Sequence, residues 1–316
     1  MKRPRGRRET QSLVLAAVVV FLLVLLGVLT RGRLLAPDSL QSIAFQLPLL
    51  GILTLAQMTP MLTGGIDLSI IATANLCGVV AAIAMTRGNV PPLGAMVFGL
   101  AMALSFGVFK GLLIAWVSVP AIIATLGFMI FIRGVSLVLT KGYVIAGFPG
   151  SFLFLGNGTL FGIPMPFVVF FLCAVFLFVL LARTRFGTYV YLLGSNPVAT
   201  LFAGVNNGLV LFVTYLLSSF LAGVAGLVMI ARFNAAQADY GEYYLLLTVL
   251  ACVLGGVDPA GGFGRIPGVV VSIAVLQVVA TGFNLLGLSS HLASALWGLI
   301  LLGVIAINRM IGGVET

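Results

Sequence analysis

The stretch PLLGILTLAQMTPMLTGGIDLSIIATANLCGVVAA, residues 48–82, decides the fold class. It joins two apolar runs through the short sequence TGGIDLS at 63–69, and each run belongs to a segment long enough to cross a bilayer. Asp67 is the one charged residue in the stretch. Because polar and apolar residues do not alternate, the runs predict helices rather than strands of a membrane barrel. The stretch therefore predicts two membrane helices with a carboxylate at the turn between them.

The composition extends this prediction to the whole chain. The 316 residues are 61% hydrophobic and 7% charged, whereas a soluble domain carries about 25% charged residues. The length would accommodate two soluble domains, but so few charges cannot cover a surface in water. We therefore predict an all-α polytopic membrane protein.

The basic residues indicate the orientation of the chain in the membrane. The net charge of +9 comes from 16 Lys and Arg against 7 Asp and Glu. Five of the basic residues precede the first apolar run: Lys2, Arg3, Arg5, Arg7 and Arg8. Such a cluster is typical of a cytoplasmic N-terminus, so the charge does not indicate nucleic acid binding. A cleaved signal peptide begins in the same way, but Val28-Leu29-Thr30-Arg31 is a poor cleavage site.

Ten membrane helices are predicted within one transmembrane domain at 13–308, between a basic tail at 1–12 and a C-terminal tail at 309–316. The predicted helices lie at about 13–30, 43–62, 66–86, 92–117, 120–139, 164–182, 208–231, 243–256, 266–286 and 291–308. An even number returns the C-terminus to the cytoplasm, and most basic residues then lie on the inner side. The eighth helix is short for a bilayer span, and segment 31–42 places Arg31 and Arg33 on the outer side.

The inner loop RTRFGTYVYLLGSNPVATLFAGVN, residues 183–206, contains a short amphipathic helix near 196–204. Ser195 or Asn196 supplies the N-cap, and Pro197 suits the first turn. The apolar residues of this helix share one face: Val198, Leu201, Phe202 and Val205. Gly204 suits a left-handed helix end. The helix is too short to span the membrane, so its apolar face is predicted to contact either a partner protein or the lipid interface.

Three stretches together resemble the permease subunits of bacterial ABC importers for ribose, xylose, galactose and related monosaccharides. They are TGGIDLS at 63–69, TRFGTYVYLLGSNPVATLFAGVN at 184–206 and VLGGVDPAGGFGRIPGVVVSIAVLQ at 253–277. The resemblance implies a type II ABC importer-like fold in the bacterial inner membrane, with both termini cytoplasmic. It also implies import of a monosaccharide by alternating access.

The resemblance further implies the partners. Two permease subunits, identical or different, form the pathway; two ATP-binding subunits dock below them, and an extracytoplasmic binding protein delivers the sugar. The short inner helix would be the coupling helix that contacts the ATP-binding subunit. The residues assigned to this contact are Gly194, Ser195, Asn196, Pro197, Val198, Ala199, Leu201, Phe202, Ala203 and Gly204.

The sequence itself predicts that this chain is not an enzyme. It has no G-x-x-x-x-G-K-[ST] motif, so ATP and Mg²⁺ are expected on a partner subunit and no cofactor on this chain. One His and seven scattered acidic residues provide no catalytic set. Cys77, Cys173 and Cys252 lie in apolar runs without metal-binding spacing, so neither a metal site nor a disulfide framework is expected.

Three interpretations of Asp67 remain open at this point. It caps the start of the third helix, pairs with a basic residue such as Arg133 or Lys110, or lines the pathway near the inner gate. Asn75 is expected two helical turns further on, near the same face. The candidate pathway and gate residues are Gln57, Gly64, Gly65, Asp67, Ser69, Asn75 and Thr248.

Two positions depart from the pattern of the family. Ile71 stands where many relatives carry Gly, and 241–248, GEYYLLLT, keeps Glu242 but has Tyr and Leu where relatives carry further polar groups. These departures leave the substrate open, with nucleosides and autoinducer-type furanoses as alternatives to a sugar. They also favour a heterodimer whose partner supplies the missing groups. An ion- or proton-coupled secondary transporter is the alternative from another class, with Asp67 as its coupling site.

Overall fold

The computed structural model describes residues 24–288 except Leu26, together with 292, 295–299 and 303. The predicted tails at 1–12 and 309–316, most of the first predicted helix and most of the tenth lie outside the described residues. The described helices with defined bounds are α1 Pro37–Leu62, α2 Ile70–Thr86, α3 Pro92–Ala115, α4 Ala121–Thr140, α5 Gly150–Asn157, α6 Met165–Arg183, α7 Arg185–Ser195, α8 Pro197–Phe202, α9 Asn207–Phe233, α10 Tyr244–Leu254 and α11 Ile266–Leu285.

Short strands occur only as pairs in the loops of the described part. They are β1 Ile145–Ala146, β2 Thr159–Leu160, β3 Ile163–Pro164 and β4 Ala235–Ala236. β1 pairs antiparallel with β4, and β2 pairs antiparallel with β3 as a hairpin.

The prediction of a polytopic all-α membrane protein is confirmed. Six described helices are long and apolar enough to cross a membrane, and α2 and α10 are shorter apolar helices. The long ones are α1, α3, α4, α6, α9 and α11. These eight helices correspond to the second through ninth predicted helices.

Several predicted boundaries are wrong for identifiable reasons. The helix α1 begins at Pro37, after a 3₁₀ turn at Arg33–Leu35, because proline fits the first helical turn; much of segment 31–42 is therefore helical. In contrast, α2 begins only at Ile70, because Asp67 and Ser69 form a turn ahead of it. Between the fifth and sixth predicted helices, at 140–163, the chain forms α5 and most of the β2–β3 hairpin.

Helix α9 lies at the centre of the bundle, where it packs against α1, α2 and α3. Small residues allow this close approach: a Cβ on Gly226 would overlap the backbone of Ala74, and Cys77 Sγ donates to the Gly223 carbonyl at 3.3 Å. Helices α4 and α6, in contrast, leave many apolar side chains exposed. These two helices therefore supply surfaces for lipid or for a partner subunit.

Candidate functional site: the glycine junction and the buried Asp67–Lys110 pair

The inner loop forms two consecutive helices. Thr184 accepts from the Gly187 amide at the start of α7, and Asn196 Oδ1 accepts from the Ala199 amide, 2.9 Å away, at the start of α8. Gly194 and Ser195 end α7, whereas Ala203 and Gly204 follow α8. The predicted Asn196 cap and the left-handed Gly204, with φ +78°, are both present. The sequence prediction missed α7, although Phe186, Tyr189, Val190 and Leu193 show its helical spacing.

One face of α8 is apolar and exposed to solvent. Val198 and Leu201 are exposed, and Phe202 has 86% of its surface accessible. Val205 lies beyond the end of α8 and is buried, so it is not part of the predicted apolar face. Helix α8 thus presents three apolar side chains outward.

Glycines bring the end of α7 against two other loops, in a contact that we call the glycine junction: Gly64, Gly194, Gly261 and Gly262. A Cβ on Gly194 would overlap the Leu62 carbonyl oxygen and the Gly262 amide. A Cβ on Gly261 would lie 2.7 Å from the Gly64 amide nitrogen and 3.0 Å from Gly194 Cα. The Gly262 amide donates to the Leu62 carbonyl at 2.8 Å. Backbone therefore contacts backbone at three points of the chain that are distant in sequence.

The loop between α10 and α11 is held in the shape that the junction requires. Gly261 and Gly262 have φ of +92° and +78°, and the Asp258 carboxylate accepts from the Ala260 amide at 3.0 Å. Segment 258–262 is therefore a tight turn, in keeping with its Asp-Pro and Gly-Gly pairs. Tyr191 of α7 donates its hydroxyl to the Gly264 carbonyl at 3.0 Å, and burial raises the pKa of this phenol although nearby Arg265 opposes the rise. The turn and α7 are therefore joined by a side chain as well as by backbone contacts.

A buried cluster of polar groups begins three residues after Gly64 of the glycine junction. It consists of Asp67, Ser69, Lys110 and Ser218. Lys110 of α3 donates to Asp67 Oδ2, and both side chains are fully buried. The Asp67 carboxylate also accepts from the Ser69 amide at 2.9 Å, the Ser69 hydroxyl at 2.7 Å and the Ser218 hydroxyl of α9 at 3.0 Å. Lys110 donates a second bond to Ser69 Oγ at 3.0 Å. The cluster joins the start of α2 to α3 and α9.

The pairing of Asp67 with Lys110 follows from their depth in the membrane. Lys110 lies five residues before the end of α3, about 8 Å along the helix at 1.5 Å per residue. A single unpaired charge inside a membrane-spanning helix is costly, so each of these charges needs the other. Of the partners that the sequence allows, the structure selects Lys110 and not Arg133.

The structure also bears on the other two interpretations of Asp67, as a cap of the third predicted helix and as a pathway residue. Asp67 accepts from Ser69, the residue just before α2, and no side chain caps the first turn of α2 itself. Asp67 is fully buried in this conformation, so it does not line an open passage. The hydrogen bonds make Asp67 a link between helices.

Among the remaining candidate pathway residues, Asn75, Thr248 and Gln57 form no hydrogen bond with Asp67. Asn75 Nδ2 donates to the carbonyls of Ala238 and Tyr240, at 3.2 and 3.0 Å. The expectation that Asn75 shares a face with Asp67 is wrong, because α2 begins only at Ile70. Thr248 donates to the Leu245 carbonyl within α10, and Gln57 is fully buried with no hydrogen-bond partner among the described residues. Gly65 packs against the Tyr215 hydroxyl, beside the buried cluster.

The comparisons with known proteins identify the family. A family model described as "Branched-chain amino acid transport system / permease component" matches residues 39–305. The ribose import permease protein RbsC of Bacillus subtilis (strain 168) is 33% identical over 292 residues, covering 92% of this chain and 90% of the relative. RbsC of Escherichia coli (strain K12) is 33% identical over 297 residues, covering 92% of each.

A third relative carries a different substrate name. The autoinducer 2 import system permease protein LsrD of Photorhabdus luminescens is 28% identical over 303 residues, covering 94% of this chain and 90% of the relative. No solved structure matches the chain. The family model covers most of the chain, and the described helices include six of membrane-spanning length. The chain therefore belongs to this family of transport-system permease components and is a multi-pass protein of the bacterial inner membrane.

Proposed function

We propose that this chain is the permease subunit of an ATP-driven, binding-protein-dependent importer for a neutral monosaccharide of the ribose type. The observation that carries the proposal is the 33% identity to two ribose import permeases over more than nine-tenths of the chain. The family description names branched-chain amino acids, whereas the relatives described above are named for ribose and autoinducer 2. An ion-coupled transporter is not favoured, because Asp67 is neutralised by Lys110 and sealed from solvent.

The proposed assembly is the one that the family resemblance implies. We propose ten membrane helices with both termini in the cytoplasm, paired with a second permease subunit, two ATP-binding subunits and an extracytoplasmic binding protein. ATP and Mg²⁺ are held by the ATP-binding subunits. The short helix α8 is the coupling helix, because its exposed apolar face is a ready surface for an ATP-binding subunit.

The glycine junction provides a path from the coupling helix to the membrane. When the ATP-binding subunits close, α8 and the end of α7 move, and backbone contacts at Gly194 transfer the displacement to the Gly64 and Gly261 loops. Because atoms already in contact cannot be compressed, the displacement reaches Asp67 and the start of α2. This is a rigid-body route for switching between inward- and outward-facing states.

The second candidate cargo is an autoinducer-2-type furanose, which the similarity to LsrD favours. Reconstitution distinguishes the two cargoes. The chain is co-expressed with the ATP-binding subunit and binding protein of its own operon, and ATP hydrolysis and uptake are measured in proteoliposomes with ribose, xylose, galactose, a nucleoside and an autoinducer-2 analogue. Stimulation by ribose supports the proposal, whereas uptake driven by an ion gradient without ATP would contradict it.

Replacing Phe202 by Asp is expected to weaken docking of the ATP-binding subunit. The change puts a charge on the most exposed apolar residue of α8, where a buried unpaired carboxylate would weaken the interface by about tenfold or more. Co-purification of the ATP-binding subunit measures the loss. Phe161→Asp is the matched control, because Phe161 is 97% exposed in the β2–β3 hairpin, far from α8 in sequence. Equal retention of the subunit by both variants would contradict the role of α8.

A further inference from the structure

Arg133 and Glu242 form an ion pair outside the buried cluster. Arg133 Nη1 lies 3.0 Å from Glu242 Oε1, and the two side chains are 48% and 55% exposed. Arg133 belongs to α4, whereas Glu242 belongs to the non-helical segment 235–243 before α10. The proposed mechanism does not use this pair, and its exposure distinguishes it from the sealed Asp67–Lys110 pair.

The pair lies within the membrane layer. Arg133 is seven residues before the end of α4, about 10 Å along the helix axis. Segment 235–243 reaches the same layer, because Asn75, inside α2, binds its carbonyls at Ala238 and Tyr240. This segment also explains why α10 is short: the chain crosses the outer part of the membrane without helical geometry. Irregular backbone at this depth occurs only where protein buries it or where it lines an aqueous cavity.

The charges of the pair make lipid a costly neighbour for it. Ile130 and Leu137 lie one turn before and one turn after Arg133 on α4, and both are exposed. A half-exposed Arg and Glu in such an apolar stripe would be costly against hydrocarbon, and charged residues at this depth face the bundle interior or water. The pair therefore requires water or protein opposite it, and the pathway between the two permease subunits provides both.

The chemistry of this surface suits an uncharged polyol. The guanidinium offers donors only and the carboxylate offers acceptors, so neighbouring hydroxyls of one sugar satisfy both. Tyr243 follows Glu242, is 50% exposed and lies against the Tyr244 ring with centroids 4.2 Å apart, so it offers an aromatic face beside the pair. Because the two charges cancel, the surface does not concentrate anionic solutes.

We propose that Arg133, Glu242 and Tyr243 form a cargo-contacting site in the pathway that selects uncharged polyhydroxylated solutes over their phosphorylated forms; this inference rests on the proposed import function. In the present conformation the two charges satisfy each other. Cargo hydroxyls replace part of this interaction during passage. The site thereby gives the permease a selectivity of its own, in addition to that of the binding protein.

Chemical accessibility tests the position of the site. Tyr243→Cys is introduced into the assembled importer and treated in proteoliposomes with a charged, membrane-impermeant thiol reagent, with the wild-type chain as the background for its native cysteines. Leu172→Cys is the matched control, because Leu172 is 61% exposed and lies seven residues inside α6. We expect Tyr243→Cys to react at least tenfold faster than Leu172→Cys, and D-ribose but not ribose 5-phosphate to slow the reaction. Equal rates for the two variants, or no protection by ribose, would overturn the proposal.

A charge exchange distinguishes contact with cargo from a merely structural ion pair. Glu242→Gln alone and the double variant Arg133→Glu with Glu242→Arg are compared for ribose uptake and for co-purification of the ATP-binding subunit, which reports assembly. We expect both assembled variants to lose at least tenfold in uptake, because the exchange restores the pair but reverses the groups that face the sugar. Full recovery of uptake by the exchange would overturn the inference. Failure of the wild-type importer to transport any sugar would instead refute the proposed function, and the thiol comparison would still decide whether the surface faces water.

Discussion

Replacing Lys110 by Met is expected to lower the free energy of unfolding by about 3–5 kcal/mol, because Asp67 would remain as a buried charge without its partner. Two serine hydroxyls and one amide still donate to the carboxylate, but none of them carries the opposite charge. Thermal unfolding of the purified chain in detergent measures the loss. Transport is expected to fall with it, since the start of α2 is held to α3 by this pair.

A double variant provides the control for this prediction. Asp67→Asn combined with Lys110→Met removes both charges, and the Asn side chain still accepts hydrogen bonds from Ser69. We expect it to recover most of the lost stability, because deleting a buried pair costs far less than leaving one charge alone. If the two substitutions instead lower stability additively, the pair is not coupled and the structural role assigned to it is wrong.

Replacing Gly194 by Ala is expected to reduce transport by at least about tenfold, while the ATP-binding subunit still docks. The new methyl group would overlap the Leu62 carbonyl and the Gly262 amide, and both obstacles are backbone atoms that cannot rotate away. Overpacking of this kind typically costs about 1–3 kcal/mol. Because α8 keeps its exposed face, the expected result is ATP hydrolysis that no longer drives uptake. Parallel assays of hydrolysis and uptake measure this uncoupling.

Gly134→Ala is the matched control for the glycine junction. Gly134 lies inside α4, and a Cβ built there would meet no atom within 4 Å. The variant is expected to retain transport and to gain up to about 1 kcal/mol of stability from helix propensity. Equal transport by the Gly194 and Gly134 variants would show that close contact at the junction is not needed for coupling.

The sequence predicts the parts of this molecule that depend on periodicity and local chemistry. Apolar runs identify six described helices of membrane-spanning length and two shorter apolar helices, and Asn196, Pro197 and Gly204 define the ends of α8. The prediction for loop 183–206 contains only one short helix. It therefore misses α7, although the helical spacing of the apolar residues of α7 is visible in the sequence. The start of α2 was misplaced because the hydrogen bonds of Asp67 form a turn where hydropathy continues unbroken.

The sequence does not predict which segments far apart along the chain come into contact. Lys110 and Arg133 were both available to Asp67, and only the packing of α3 against α2 and α9 selects Lys110. Glycines at 64, 194 and 261–262 look like independent loop residues until the fold brings their backbones together. The contact of segment 235–243 with α2 is equally hidden, because it depends on the amide of Asn75 far earlier in the chain.

The two ion pairs also differ in when their members are synthesised. Asp67 has already left the ribosome when Lys110 is made 43 residues later, so the partner of Lys110 is present when α3 inserts. Arg133 precedes Glu242 by roughly a hundred residues, which corresponds to about 5–20 s of synthesis. Helix α4 must therefore enter the bilayer with an unpaired arginine, and its insertion depends on its own apolar residues. Polar substitutions elsewhere in α4 would consequently reduce the yield of inserted protein before they affect import.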